Sequence, residues 1–125
     1  MRVSKVLVVD DEPHIVRLVS FSLSRRGYDV LEATDGPSGI ELARSEKPDL
    51  ILMDVMMPGM TGFDAVEKLK AEPATAGIPV VMLSAKSQQY EQQEGLRRGA
   101  EKYICKPFTP SALVEAVSEI IGSSD

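Results

Sequence analysis

Five short apolar runs, rich in β-branched residues and Leu, recur along the chain: Val6–Val9, Tyr28–Leu31, Leu50–Met53, Val80–Leu83 and Tyr103–Cys105. Stretches with helical periodicity lie between them. The inner runs are continuous rather than alternating, which is the pattern of parallel strands covered on both faces. Five strands alternating with helices predict an α/β fold, an open doubly wound parallel sheet with five helices distributed over its two sides by right-handed crossovers. The chain has 125 residues, enough for one core and one domain. That domain is expected to span residues 1–122, with 123–125 as a polar tail.

The first helix is predicted from Pro13, a first-turn proline, to Gly27. At 100° per residue Ile15, Val16, Val19, Ser22 and Leu23 share one arc, while His14, Arg17, Ser24 and Arg25 face away. Leu18 falls at the margin of the arc and Phe21 outside it, so the pair is a candidate apolar contact for a partner. Further helices are expected over about Pro37–Ser45, Gly62–Lys70, Gln88–Arg98 and Pro110–Ile121. The fourth carries Gly95 in its interior, with only Tyr90 and Leu96 as large nonpolar anchors. Gly there costs about 1 kcal/mol against Ala, so this helix is expected to be loosely held.

Charge and cysteine usage exclude several functions. The net charge is −5 and no basic helix face tracks a phosphate backbone, which argues against direct nucleic-acid binding. Arg97-Arg98 reads as a solvated helix end. One cysteine, Cys105, rules out an internal disulfide and reads as a small buried apolar residue. No segment is long and apolar enough to span a bilayer, so no membrane association and a cytoplasmic location are expected.

The chemistry lies in the polar residues at the ends of the apolar runs. The first ends in Asp10-Asp11, the third in Asp54, the fourth in Ser84 and the fifth in Lys106. Ligands of open parallel sheets bind outside the carboxyl ends of the strands, where strand order reverses. The order 2-1-3-4-5, carried over from known doubly wound sheets of this kind, makes the first and third strands neighbours and gathers the three aspartates. Two like charges 4 Å apart cost about 4 kcal/mol at an effective dielectric of 20, so either their pKa values rise or a cation sits among them. Mg²⁺ favours oxygen ligands completed by a phosphate. A lysine and a hydroxyl facing the aspartates add a positive charge and a hydrogen-bond donor. The set fits phosphoryl chemistry on a carboxylate, with Asp54 as nucleophile.

The segments Val6-Leu7-Val8-Val9-Asp10-Asp11-Glu12-Pro13, Asp54-Val55-Met56-Met57-Pro58-Gly59-Met60-Thr61-Gly62, Ser84-Ala85 and Lys106-Pro107-Phe108 resemble the receiver domains of bacterial response regulators, of the CheY-like family. The resemblance covers essentially the whole chain and implies a flavodoxin-like fold. It also implies a phosphoacceptor switch of a two-component or phosphorelay system, one that promotes its own phosphorylation and dephosphorylation rather than acting as an enzyme on other substrates. Asp54 would accept the phosphoryl group from a phosphohistidine on a sensor histidine kinase or phosphotransfer protein. Asp11, Asp54 and the Met56 carbonyl would hold Mg²⁺, with Asp10 acting partly through water. Lys106 would contact the phosphoryl oxygens, and the Lys106-Pro107 peptide would be cis. Ser84 would move toward the phosphoryl group and Tyr103 would rotate inward, shifting a surface of the fourth helix, fifth strand and last helix that binds a downstream protein. Met56 and Lys86 occupy positions that affect phosphoryl lifetime.

Other readings compete. A Mg²⁺-dependent aspartyl-phosphate phosphohydrolase of the haloacid-dehalogenase type would place its acid as Asp-x-Asp, whereas Asp10 and Asp11 are adjacent and Glu12-Pro13 comes next. A degenerate receiver would lack site residues, and all are present. A flavodoxin-like cofactor protein would set a flavin phosphate against an acidic pocket.

Overall fold

Each apolar run becomes a strand. In the computed structural model, which describes residues 3–85 and 89–122, the strands are β1 (Lys5–Val9), β2 (Asp29–Ala33), β3 (Leu50–Asp54), β4 (Val80–Ala85) and β5 (Lys102–Lys106). The helices are α1 (Pro13–Ser24), α2 (Gly36–Glu46), α3 (Gly62–Ala71), α4 (Gln89–Arg97) and α5 (Pro110–Ile121). The strands form one parallel sheet in the order β2-β1-β3-β4-β5, as expected. The expected tail, residues 123–125, lies outside the described residues, as do Lys86 and Gln88.

The continuous apolar runs have a direct cause. Alternate residues of the central strands feed two separate cores. Leu7, Val9, Ile51, Met53, Val80 and Met82 point to the side covered by α2 and α3. Val6, Val8, Leu50, Leu52, Val81 and Leu83 point to the side covered by α1 and α5. The outer strands β2 and β5 are only partly buried, as edges of the sheet should be.

Local signals set the helix ends. Pro13 opens α1, and Asp35 caps α2 by accepting from the Ser38 N–H. Thr61 and Asp64 cap each other's backbone at the start of α3. Thr109 caps α5 by accepting from the Ala112 N–H. The first helix ends at Ser24 rather than Gly27, because the chain turns through Arg25 and Arg26 before Gly27 adopts φ 91°.

The fourth helix is held differently from the sequence expectation. Tyr90 and Leu96 are exposed and do not anchor it. Gly95 instead lies directly on the Met82 side chain, where an added Cβ would come within 2.8 Å of Cγ. Glu94 is buried and accepts hydrogen bonds from both Arg97 and Arg98. Arg98 continues to Glu67 of α3 at 2.6 Å, and its guanidinium stands 5.4 Å from the Phe63 ring centroid. Arg98 is therefore a cross-brace between α3 and α4, not a solvated helix end. Cys105 is half-buried rather than fully buried, because β5 is an edge strand, and its Sγ accepts from Gln92 Nε2 at 3.0 Å.

Candidate functional site

The register of the sheet decides which side chains meet at its carboxyl edge. Val9 pairs with Met53, so the next residues along, Asp10 and Asp54, stand side by side. Asp54 pairs with Leu83, which brings Ser84 next to it. Ala85 pairs with Lys106, completing the row. Asp10, Asp54, Ser84 and Lys106 therefore arrive from four adjacent strands, and Asp10, Asp54 and Ser84 are buried.

Lys106 is the hub. Its Nζ lies 2.9 Å from Asp10 Oδ2, 3.0 Å from Asp54 Oδ1 and 3.1 Å from Glu12 Oε1. Burial opposes its charge, but hydrogen bonds with Asp10 and Asp54 prevail and raise its pKa above the usual lysine value. One ammonium shared by three carboxylates cannot compensate each of them. The Asp54 carboxyl is accordingly pushed up to about 7, first by burial and then by the Asp10 and Asp11 charges, against the opposing pull of Lys106. Ser84 Oγ is buried and has no hydrogen-bond partner among the described residues. A donor held without a partner beside a carboxylate suits an incoming group rich in acceptor oxygens.

The titration of Asp54 makes a testable difference. Below about pH 4 the carboxyl is neutral whether the chain is folded or unfolded. Between about pH 4 and pH 7 the folded protein keeps the proton and the unfolded chain releases it, so stability falls as pH rises through this window. In metal-free buffer Asp54→Asn should flatten that slope and be more stable near pH 7 by about 2 kcal/mol. Chemical denaturation at pH 4.5 and pH 7.5 reads it, and parallel pH profiles for the two proteins would contradict it.

The oxygen donors fit a hard divalent cation. Asp10, Glu12 and Asp54 each offer a carboxylate oxygen, and the three atoms lie within 4.8 Å of one another. Glu12 belongs to this group although it is not among the site residues read from the sequence. The available signal is its place, directly after the aspartate pair and at the start of α1. Asp11 is exposed and outside this group, and its charge reaches Asp54. Met56 is 65% exposed at the mouth of the cleft, and Tyr103 is exposed on β5. The Lys106-Pro107 peptide is cis. His14 is solvent-facing, 3.7 Å from Glu12. The cleft itself is small, about 170 Å³, and is lined by Asp54, Met56, Ala85, Glu91 and Lys106 among others.

The profile of the response regulator receiver domain matches residues 6–118. The chain belongs to the response regulator receiver family. Receiver domains are the phosphoacceptor switches of two-component signalling, and this receiver has relatives of two kinds. It is 36% identical to the protein PilH of Pseudomonas aeruginosa, with 94% of this chain and 98% of that protein covered. It is 40% identical to PhoP of Bacillus subtilis, the alkaline phosphatase synthesis transcriptional regulatory protein, over 97% of this chain but only 50% of that protein. The receiver thus spans about half the length of several curated relatives. Its fold also matches the crystal structure of the receiver domain of a sensor histidine kinase from Pseudomonas aeruginosa. The TM-score is 0.88 at 28% identity, covering 98% of this chain and all of that one, and that structure has a magnesium ion coordinated in its active site cleft.

A second surface lies away from the cleft. Leu18, Phe21 and Val114 line a groove of about 440 Å³ between α1 and α5, with Arg25 and Arg26 on its rim. Phe21 is 63% exposed, in keeping with its place outside the apolar arc, and Arg25 covers its ring at 5.5 Å. Among the described residues no helix is long and apolar enough to cross a membrane.

Proposed function

We propose that Asp54 is the phosphoacceptor of this receiver, served by Lys106, Ser84 and a Mg²⁺ ion. The observation that carries the reading is the convergence of one ammonium on two buried carboxylates from neighbouring strands, beside a buried hydroxyl that has no partner among the described residues. A carboxylate oxygen of Asp54 attacks the phosphorus of a phosphohistidine. The new oxygen–phosphorus bond forms as the phosphorus–nitrogen bond breaks, and the imidazole leaves with that electron pair. Lys106 meets the charge on the phosphoryl oxygens, and the Ser84 hydroxyl donates to one of them. Mg²⁺, when bound, draws charge from the phosphoryl and carboxylate oxygens. Asp11, Asp54 and the Met56 carbonyl, with Asp10 acting partly through water, are the ligands implied by the family resemblance, and Glu12 is a further oxygen donor of this chain. The raised pKa of Asp54 fits a site that gains its nucleophile when a cation arrives.

The domain promotes its own phosphorylation and dephosphorylation and does not turn over a separate substrate. Exposed Met56 stands where it shields the acyl phosphate from water. Phosphorylation draws Ser84 inward, Tyr103 moves with it, and the surface of α4, β5 and α5 changes for a downstream protein. The groove between α1 and α5 receives a sensor kinase or phosphotransfer protein, and these events take place in the cytoplasm without direct contact to nucleic acid. Acetyl phosphate with Mg²⁺ should add one phosphoryl group per chain, and chelation of the metal should abolish the addition. Labelling that persists undiminished in the chelator would remove the metal from the reaction.

A further inference from the structure

The first turn of α4 reaches into the cleft. Glu91 lines it together with Asp54 and Lys106, and Glu91 Oε1 accepts a hydrogen bond from the Ala85 N–H at 3.3 Å. Ala85 comes directly after Ser84 and sits opposite Lys106 in the sheet. One residue along the helix, Gln92 donates to Cys105, the residue before Lys106. Polar side chains thus fasten this turn to the immediate neighbours of two site residues. Its apolar side chain does not help, because Tyr90 faces solvent. The firmer attachments, Gly95 on Met82 and Arg98 on α3, lie toward the other end of the helix.

The Ala85 amide is a donor at the wall of the cleft that holds the Asp54 carboxylate. A phosphoryl group brings three strong acceptor oxygens and a charge of about −1.5 to −2. Seated on Asp54, it competes for that amide, and its charge repels a carboxylate already there. We propose that Glu91 is a stand-in for the phosphoryl group. Its carboxylate holds the Ala85 amide and the first turn of α4 in the unphosphorylated receiver, and phosphorylation displaces it and releases that turn. The inference rests on Asp54 as phosphoacceptor and adds the residue through which the phosphoryl group acts on α4. Glu91 is a positioning residue, since it touches neither the metal group nor the reacting oxygens.

Three variants test it. Glu91→Gln keeps the size and an acceptor oxygen but loses the charge, and Glu91→Ala loses both. Glu115→Gln, exposed on α5, changes the net charge equally at a remote place. Labelling by acetyl phosphate with Mg²⁺, followed by intact mass, should be about three- to tenfold faster in both Glu91 variants and unchanged in Glu115→Gln. Hydrogen exchange supplies a second readout. Without phosphodonor, the first turn of α4 in Glu91→Ala should exchange as fast as in the phosphorylated wild type. Wild-type labelling rates in the Glu91 variants, or equal exchange of unphosphorylated wild type and Glu91→Ala, would overturn the role of Glu91 while leaving Asp54 in place. A wild type that takes no phosphoryl group would overturn both.

Discussion

Lys106→Met should lower the stability of the metal-free protein by about 2–3 kcal/mol at neutral pH and slow phosphoryl transfer at least tenfold, as an order of magnitude. The ammonium sits within 3.1 Å of Asp10, Glu12 and Asp54. Methionine keeps the length of the side chain and removes the charge, so Asp10 and Asp54 are left buried without a cation. A buried pair broken in this way costs about 3–5 kcal/mol, and the smaller figure reflects the partial exposure of Lys106. The sign with pH is set by the lysine's raised pKa. Its contribution is present through the neutral range and is lost only as pH climbs past the ordinary value of 10.5. Asp54 sets the acid side, where its carboxyl holds a proton in the fold and the lost cation matters less. The gap between variant and wild type should therefore shrink as pH falls below about 7. Urea unfolding at pH 7.5 and pH 4.5 measures it, and equal stabilities at pH 7.5 would remove Lys106 as the counter-charge.

The second large effect is steric. A Cβ on Gly62 would lie 2.0 Å from the Asp54 carbonyl oxygen and 3.0 Å from Val55 Cα. Both are backbone atoms, and the Gly62 N–H also donates to the Val55 carbonyl at 2.8 Å, so neither side can give way cheaply. Gly62→Ala should cost about 3 kcal/mol or more and displace the backbone that carries Asp54, with a matching loss of phosphorylation. Gly77→Ala is the comparison, since nothing lies within 4 Å of its added Cβ. It should change stability by no more than about 0.5 kcal/mol. Equal melting temperatures for the two variants would mean that α3 and the strand end do not meet as described.

Much of this fold is legible in the residues. Strand positions are marked by apolar runs, because a parallel sheet covered on both sides needs apolar residues in succession. Pro13 marks the start of α1, and the starts expected at Gly62 and Pro110 hold, where the structure adds the Thr61 and Thr109 caps. The convergence of Asp10, Asp54, Ser84 and Lys106 emerges once the strand order is supplied. Sequence periodicity misses contacts made by polar atoms and by missing ones. In the sequence Gly95 reads as a weakness, whereas its bare Cα is what lets α4 close on Met82. Tyr90 and Leu96 read as anchors and face solvent. Arg98 reads as solvated because nothing local distinguishes such an arginine from one that reaches Glu67 across 31 residues. Glu12 and Glu91 escape notice for the same reason, since their partners Lys106 and Ala85 are set by the sheet and not by spacing. The exposed side chain of Tyr103 depends on its rotamer, which composition does not encode.

Localising the phosphoryl group tests the identity of the acceptor most directly. After incubation with acetyl phosphate and Mg²⁺, peptide mass mapping should find one phosphoryl group, on the peptide containing Asp54 and on that side chain. Asp54→Ala should remain at its unmodified mass. Label found on another residue, or retained in full by Asp54→Ala, would contradict the assignment of Asp54 as the phosphoacceptor.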